Sequence, residues 1–337
     1  MKIIENASLK SLNTFGIDAQ CTKLIHYNTV DELKLIIASG QLNNSKVLHI
    51  GGGSNLLFMA NFEGVILHSQ IKHLKVVSQN TESIQVEVGA GMIWDDLVAY
   101  AVQNNWYGIE NLSLIPGEVG ASAIQNIGAY GVEVCECIKS VQAVHLKTGE
   151  IKHFSTEECH YGYRESIFKN ELKGQYAIVS VVFELQLAES YTLNYQHLEE
   201  EVRKNGELNL QNVRHTIIAV RESKLPDPLV AGNAGSFFMN PVVPKATFEK
   251  LLEQYPLMPH YYVSPTYEKV PAGWLIDQCG WKGKAVGNAG VHDKQALVLV
   301  NKGGATGAEI VHLAQLIQQS VSEKFGIIIT PEVNYIS

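Results

Sequence analysis

The stretch Ile50-Gly-Gly-Gly-Ser-Asn-Leu-Leu-Phe58 follows the short apolar run Val47–Ile50, whose composition predicts a strand. Because glycine lacks a Cβ, consecutive glycines after a strand let backbone N–H groups turn towards a phosphate or diphosphate. The stretch is not a G-x-G-x-x-G fingerprint, since Leu56 occupies the third glycine position, and no Lys-Ser/Thr pair follows as in a P-loop. Taken alone, it is compatible with an anion cradle and equally with a tight turn between strands.

A second glycine-rich stretch reads Ile115-Pro-Gly-Glu-Val-Gly-Ala-Ser-Ala-Ile-Gln-Asn-Ile-Gly-Ala-Tyr-Gly131. Its glycines and small side chains suit close approach of the backbone to a flat cofactor, with phosphates at the start of a helix. An ordinary loop seldom needs so many glycines and small residues, and this chain has two such stretches. Together they favour a site for a phosphate-bearing planar cofactor in a fold other than the Rossmann fold.

Length, charge and cysteine content narrow the class of protein. A chain of 337 residues predicts about two domains, and 46% apolar residues are enough for packed cores. The net charge of −8 lacks the basic footprint of a nucleic-acid-binding protein. We find no signal peptide, no run long enough to span a membrane and no C-x-x-C pair. A cytoplasmic protein without metal or membrane insertion is therefore expected.

Helical and β-prone patterns alternate along the chain and predict an α+β protein. Helices are predicted at Val30–Gly40, Met92–Asn105, His197–Lys204, Lys245–Gln254, Trp274–Cys279 and after Thr306, where Glu309 completes a capping box. Strands are predicted at Val47–Ile50, Val65–His68, Ile84–Val88, Ile178–Leu187, Ala296–Val300, Ile327–Ile329 and Glu332–Ile336. A hairpin is predicted from Ser140–Leu146 and Glu150–Phe154, followed by a small helix capped by Ser155 and Glu158.

Eight ordered motifs make the sequence resemble the UDP-N-acetylenolpyruvoylglucosamine reductases of bacterial peptidoglycan synthesis. Besides the two glycine-rich stretches, the resemblance rests on Asn13–Gly16, Tyr161–Ser166, Leu225–Pro228, Gly232–Phe238, Ala272–Asp277 and Pro331-Glu332. It implies a two-part FAD-binding domain of the vanillyl-alcohol-oxidase type, followed by an α+β substrate-binding domain. We place the FAD-binding domain at 1–188, with subdomains of about 1–70 and 71–188, a connection and substrate loop at 189–209, the substrate-binding domain at 210–325 and a C-terminal segment at 326–337.

The resemblance also implies which residues hold FAD. Carried over position by position, they are Gly51, Gly52, Gly53, Ser54, Asn55, Gly117, Gly120, Ala121 and Tyr130. Ala123 departs from a proline found in some members, which affects only the local shape of the loop. No histidine occurs between Gly51 and Asn55 that could tether the flavin, so we expect non-covalent FAD.

Three catalytic residues are implied by the resemblance, namely Arg164, Ser236 and Glu332. In the implied reaction NADPH reduces FAD, the reduced flavin delivers hydride to the enolpyruvyl group, and an enol intermediate is then protonated to give UDP-N-acetylmuramate. Arg164, with Glu332, would stabilise the negative charge that develops on the enolate. Ser236 would donate the proton. Because serine is a weak acid, we expect it to act in a relay or beside a cation, with Phe237 and Phe238 excluding water.

Contacts to the substrate are implied for a further set of polar residues, which comprises Tyr163, Tyr195, Lys224, Asn240 and Gln295. A phenol and an ammonium at Tyr195 and Lys224 supply donors for the diphosphate. The segment around Tyr195 resembles the longer subgroup of the family, whose extra loop folds over the substrate. Its polar composition is equally compatible with a plain linker.

Two alternatives to an NADPH-dependent reductase stay open from the sequence. One is another flavin oxidase or dehydrogenase of the same fold group, and the other is a non-catalytic protein that binds a sugar nucleotide. The partners we expect are the enolpyruvyl UDP-sugar and NADPH, with no nucleic acid, and the chain is expected to be a monomer. Cell wall biogenesis, cell shape and cell division are the processes that the resemblance implies.

Overall fold

The computed structural model describes residues 1–195 and 197–337, so Gln196, inside the predicted connection, lies outside the described residues. The helices are α1 (Val30–Ala38), α2 (Trp94–Gln103), α3 (Val119–Gln125), α4 (Leu198–Asn205), α5 (Leu210–Lys224), α6 (Lys245–Gln254), α7 (Ala272–Gln278) and α8 (Gly307–Phe325). None in the described part of the chain is long and apolar enough to cross a bilayer.

The strands are short and occur along the whole chain. They are β1 (Lys2–Ser8), β2 (Gln20–Tyr27), β3 (Lys46–Ile50), β4 (Leu56–Phe58), β5 (Phe62–Ser69), β6 (Leu74–Gln79), β7 (Ser83–Gly89), β8 (Gly128–Ala129), β9 (Val132–Glu133), β10 (Ile138–His145), β11 (Ile151–Ser155), β12 (Tyr176–Gln186), β13 (Gly232–Ser236), β14 (Val242–Pro244), β15 (Tyr261–Ser264), β16 (Tyr267–Lys269), β17 (Ala285–Val286), β18 (Ala289–Val291), β19 (Val298–Asn301) and β20 (Asn334–Ile336). The mixture confirms the α+β prediction.

The chain divides into two compact units, each built from separate segments. The first unit is Met1–Ala7, Cys21–Gly52 and Glu63–Ser223, and the second is Ser8–Gln20, Gly53–Phe62 and Lys224–Ser337. The predicted domains, each a continuous range of the sequence, stay a prediction. A sequence pattern does not show that a short N-terminal segment folds with the distant C-terminal half.

In the first unit, a four-stranded sheet has the order β1-β2-β5-β3, and β3 and β5 run parallel. A five-stranded antiparallel sheet has the order β11-β10-β12-β7-β6. Alternating residues of β7 and β12, together with one face of α2, form a hydrophobic core that includes the fully buried Trp94 and Phe183, whose rings meet edge to face. The predicted hairpin is confirmed as β10 and β11, and Ser155 and Glu158 exchange the predicted capping hydrogen bonds.

The second unit is organised around α8. Thr306 and Glu309 form the predicted capping box, and Ile310, Leu313, Ala314 and Ile317 lie fully buried along one face of the helix. That face packs on β17, β18, β19 and α7. An antiparallel sheet of the order β13-β19-β18-β17, a smaller sheet of the order β14-β16-β15 and the parallel pair β20-β4 complete the unit.

One predicted strand is not formed, and one helix was not predicted. Ile327–Ile329 is not a strand, because the carbonyl oxygen of Ile329 accepts a hydrogen bond from the Gln318 side chain, 2.8 Å away, instead of from a neighbouring strand. No element was predicted over Leu210–Lys224, where α5 runs for 15 residues. Polar residues interrupt its apolar face, so the periodicity signal is weak.

Candidate active site

Two glycine-rich turns lie against each other in the first unit. Because β3 and β5 are parallel neighbours, Gly51 begins its turn at the carboxyl end of both strands. A Cβ on Gly51 would lie 3.4 Å from the Cβ of Ala121, and a Cβ on Gly52 would lie 3.4 Å from the Cα of Gly117. These predicted cofactor residues from the two stretches are therefore brought together by the fold.

The start of α3 requires small residues. Gly120 donates its backbone N–H to the carbonyl oxygen of Ala90 at 2.9 Å. A Cβ on Gly120 would lie only 2.8 Å from the Cβ of Ala90, closer than van der Waals contact permits. The backbone of α3 therefore packs closely on the residue that follows β7, which explains why position 120, a predicted cofactor residue, is a glycine.

The remaining residues of the first glycine-rich stretch belong to the second unit. Gly53 has a φ of +65°, and a Cβ there would collide with the carbonyl oxygen of Leu12. Ser54 follows it. Asn55 donates from its carboxamide nitrogen to the carbonyl oxygen of Glu332 at 3.3 Å, and its own carbonyl oxygen accepts from the N–H of Asn334 at 3.1 Å. A predicted cofactor residue and a predicted catalytic residue are neighbours here.

Arg164 is anchored to the second glycine-rich stretch. Its guanidinium donates from Nη1 to the carbonyl oxygen of Asn126 at 3.2 Å and from Nη2 to that of Gly128 at 2.5 Å. The centre of the guanidinium lies 5.3 Å from the ring centroid of Tyr163, a predicted substrate residue. Arg164 itself has a φ of +59°, which is uncommon outside glycine and fits a functional position.

Tyr130, a predicted cofactor residue, lies beside Tyr195, a predicted substrate residue. Their rings meet edge to face, with centroids 5.7 Å apart. The backbone of Tyr130 is strained at a φ of +49°, and its carbonyl oxygen accepts a hydrogen bond from Asn111 at 2.9 Å. Burial raises the pKa of the Tyr130 phenol, although a hydrogen bond with Arg221 opposes the rise, so the phenol stays protonated at neutral pH.

Arg221 is a residue of this site that sequence reasoning missed. Burial lowers its pKa, while Tyr130 and Asp95 act to raise it. Asp95 in turn binds Arg214 through two hydrogen bonds, at 2.7 and 2.8 Å. The only signal in the sequence was the seven-residue spacing of Arg214 and Arg221, which places both on one face of a helix, and that helix, α5, was not predicted.

Ser236 and Glu332 come together in the second unit. Ser236 ends β13, and the next residue, Phe237, accepts through its carbonyl oxygen a hydrogen bond of 2.8 Å from the N–H of Glu332. Gly235, with a φ of +68°, lies within a register shift of β13 against β19 and turns the chain just before the serine. The backbone thus places the two predicted catalytic residues on adjacent segments.

The expectation that two phenylalanines exclude water from Ser236 was wrong. Phe237 and Phe238 are fully buried in the core, and their rings pack 5.1 Å apart between centroids, whereas Ser236 is exposed. Ser236 is the last residue of β13, and the chain enters the core only after it, so both rings are packed away from the serine's exposed hydroxyl.

Two predicted substrate residues meet at the beginning of α7. The side-chain oxygen of Asn240 accepts from the N–H of Ala272 at 2.9 Å. The side-chain oxygen of Gln295 would lie 3.0 Å from a Cβ on Gly273, so it also borders the first turn of the helix. The remaining predicted substrate residue, Lys224, is exposed at the last position of α5.

The residues present suit a flavin nucleotide. Backbone without Cβ atoms at the end of parallel strands is the arrangement that receives a phosphate or diphosphate, and Gly51, Gly52 and Gly117 provide it in the first unit. Among the described residues, no group of three or more His, Cys, Asp or Glu side chains is arranged to hold a metal ion.

Comparison with known proteins agrees with this geometry. A family model described as an FAD binding domain matches residues 22–155, and one described as UDP-N-acetylenolpyruvoylglucosamine reductase, C-terminal domain, matches residues 227–336. The UDP-N-acetylenolpyruvoylglucosamine reductase of Bacteroides fragilis is 54% identical over 98% of both chains. That of Porphyromonas gingivalis is 49% identical over 100% of both. The crystal structure of the UDP-N-acetylenolpyruvylglucosamine reductase from Thermus caldophilus has the same fold, with a TM-score of 0.68 at 21% identity, covering 100% of this chain and 98% of that one.

Proposed function

The chain belongs to the UDP-N-acetylenolpyruvoylglucosamine reductase family, and from this premise we propose which of its residues carry the reaction. The protein is an FAD-dependent oxidoreductase of peptidoglycan synthesis. Its reaction is the NADPH-dependent reduction of UDP-N-acetylglucosamine enolpyruvate to UDP-N-acetylmuramate.

We propose that the two glycine-rich stretches hold FAD without a covalent bond. When bound, FAD supplies the redox chemistry that links NADPH to the substrate. Gly51, Gly52 and Gly117 keep side chains away from the cofactor's phosphates, and backbone N–H groups in these turns can donate to them. Gly120 lets α3 pack closely on Ala90 beside these turns. Ala121 and Tyr130 are further proposed cofactor contacts in the first unit. The family resemblance also nominates Gly53, Ser54 and Asn55 as cofactor contacts, and these lie in the second unit.

Arg164 is the proposed cation for the negative charge that develops on the substrate's enolate. The observation that carries this assignment is the anchoring of its guanidinium on the carbonyl oxygens of Asn126 and Gly128. Those bonds fix the direction of a planar group before substrate arrives, and such preorganised donors stabilise developing charge without reorganisation. Glu332 is proposed to assist in polarising the substrate carboxylate.

Ser236 is the proposed donor of the proton to the enol intermediate. Its hydroxyl is exposed at the end of β13, where it is accessible to a bound substrate. Because a serine hydroxyl is a weak acid, its proton must be replaced through a relay or released beside a cation. The pairing of Phe237 with Glu332 supports a joint role, since it keeps the backbone of both proposed residues in register.

The proposed substrate contacts fall into two groups. Tyr163 and Tyr195 lie in the first unit, next to Arg164 and Tyr130 respectively. Asn240 and Gln295 border the start of α7 in the second unit, and Lys224 supplies a positive charge for a diphosphate. We further propose that the protein acts in the cytoplasm as a monomer.

An anaerobic assay with two substrates tests this function. Purified protein should contain FAD, and NADPH oxidation should proceed in step with addition of the enolpyruvyl UDP-sugar and yield UDP-N-acetylmuramate. Flavin-bearing protein that oxidises NADPH equally well without the sugar would indicate a different oxidoreductase. Protein that binds the sugar nucleotide but holds no flavin would overturn the enzymatic assignment.

A further inference from the structure

Beneath the first glycine-rich turn lies a cluster of titratable side chains that none of the assignments above uses. Nε2 of His68 lies 2.8 Å from Oε1 of Glu118, and the two side chains are only 8% and 11% exposed. The ring of His26 lies 5.2 Å from that of His68, while Nε2 of His49 and the Tyr27 hydroxyl form a hydrogen bond of 2.6 Å. The largely buried carboxylate of Glu118 needs a hydrogen-bond partner such as His68, because leaving its oxygens unpaired is costly.

The His68–Glu118 pair connects the two halves of the proposed FAD cradle. His68 is on β5 and pairs with Ile50 on β3, the residue before Gly51. Glu118 lies between Gly117 and the first residue of α3, on the opposite side of the cradle. A hydrogen bond between their side chains therefore ties the start of α3 to the end of the parallel strand pair.

The carboxylate also lies directly against the turn. A Cβ on Gly51 would be 3.2 Å from Oε2 of Glu118, so this oxygen borders the backbone that is proposed to receive the diphosphate. A carboxylate and a diphosphate repel each other, and the repulsion is strong where little water screens it. The hydrogen bond from His68 to the other oxygen, Oε1, reduces this repulsion and holds the Glu118 side chain in place.

We propose that His68 is a positioning residue for FAD: through its hydrogen bond to Glu118 it sets the distance between the two glycine-rich turns and makes a buried carboxylate compatible with a diphosphate. The proposal rests on the proposed FAD cradle. It predicts an effect on the affinity for FAD that is carried through Glu118.

The test measures the dissociation constant of FAD by fluorescence titration of the full-length apoprotein. We expect His68→Leu to raise this constant by about tenfold or more, because the variant leaves the carboxylate of Glu118 without its donor beside the diphosphate. Glu118→Gln, which keeps an acceptor for His68 but removes the charge, should raise it by no more than about threefold. The double variant should bind FAD about as well as Glu118→Gln alone, since no unpaired charge is left.

His73→Leu is the matched control. His73 forms a similar pair with Glu87 at 3.0 Å, but the side chains are 40% and 35% exposed and lie outside the cradle, so its removal should leave the affinity for FAD unchanged. His68→Gln, which places an amide donor near the position of Nε2, should restore most of the affinity. If the leucine variant does not fold, His68→Asn, whose shorter amide stops before Glu118, makes the same comparison.

An affinity of His68→Leu equal to that of His73→Leu would overturn the proposal. So would a double variant as weak as His68→Leu alone, because the loss would then not be transmitted by the charge of Glu118. Wild-type protein that binds no FAD would instead overturn the proposed function, so the two failures are distinguishable.

Discussion

Replacing Arg164 by lysine tests the proposed electrostatic role directly. The guanidinium spans two carbonyl oxygens, those of Asn126 and Gly128, at 3.2 and 2.5 Å. A guanidinium has five N–H donors in a rigid fork, so it can hold both carbonyls and still donate to a substrate, whereas an ammonium is a single point of three donors. The variant keeps the positive charge but loses the fixed direction.

The expected loss follows from the loss of this preorganised donor. Removal of one donor that stabilises a developing oxyanion typically costs about 10²–10³ in rate, or about 2.7–4 kcal/mol. Anaerobic stopped-flow measurements separate the two half-reactions. Reduction of FAD by NADPH should change by no more than about threefold, while reoxidation by the enolpyruvyl substrate should slow by about 10²–10³.

Arg203→Lys serves as the control for this experiment. Arg203 forms an exposed pair with Glu199 on α4, and its replacement should leave both half-reactions unchanged. FAD content of each variant is checked by absorbance before the kinetics. If Arg164→Lys is reoxidised by substrate within threefold of the wild-type rate, the fixed direction of the guanidinium has no role in catalysis and the reasoning fails.

Ser236, Gly53 and His49 each allow a separate test. Ser236→Ala should slow reoxidation by substrate by about 10²–10⁴ while flavin reduction stays nearly intact, and equal losses in both would contradict a proton-donor role. Gly53→Ala should lower the free energy of unfolding by about 2–5 kcal/mol, because of its positive φ and the collision with Leu12. Gly52→Ala, which meets only ordinary contacts, should lower it by less than about 1 kcal/mol in the same urea titration. Burial lowers the pKa of His49 from 6.5 to about 4, so the folded protein binds fewer protons than the unfolded chain below pH 6.5. The contribution of His49 to stability is therefore retained above pH 6.5 and lost towards pH 4. Between pH 8 and pH 5, the free energy of unfolding of the wild type should fall by about 2 kcal/mol more than that of His49→Gln. Equal losses would show that His49 titrates normally.

Local patterns in the sequence were sufficient for most individual elements. The capping box at Thr306 and Glu309 and the reciprocal caps at Ser155 and Glu158 are formed as predicted, because both depend on residues three positions apart. The strand Ile327–Ile329 was wrong for the opposite reason. A run of three isoleucines does not say whether a partner strand is present, and the Gln318 side chain takes that place.

The candidate site depended more on tertiary structure. The resemblance nominated Arg164, Ser236 and Glu332 by their motifs, and the structure shows Arg164 on the carbonyls of the second glycine-rich stretch. Arg221 and His68 belong to no motif that the sequence analysis used. Their importance comes from what lies next to them, Tyr130 and Glu118, and neither neighbour is close in sequence.

The sequence by itself determined an α+β protein with two glycine-rich turns, because missing Cβ atoms and hydrophobic periodicity are properties of consecutive residues. Only the tertiary structure decided that Gly51 and Gly52 meet Gly117 and Ala121, and that the largely buried carboxylate of Glu118 lies against Gly51. These contacts join segments more than 60 residues apart in the chain, and their distances are set by the pairing of β3 with β5 and by the seating of α3 on Ala90. Such distances follow from packing, which no local pattern records.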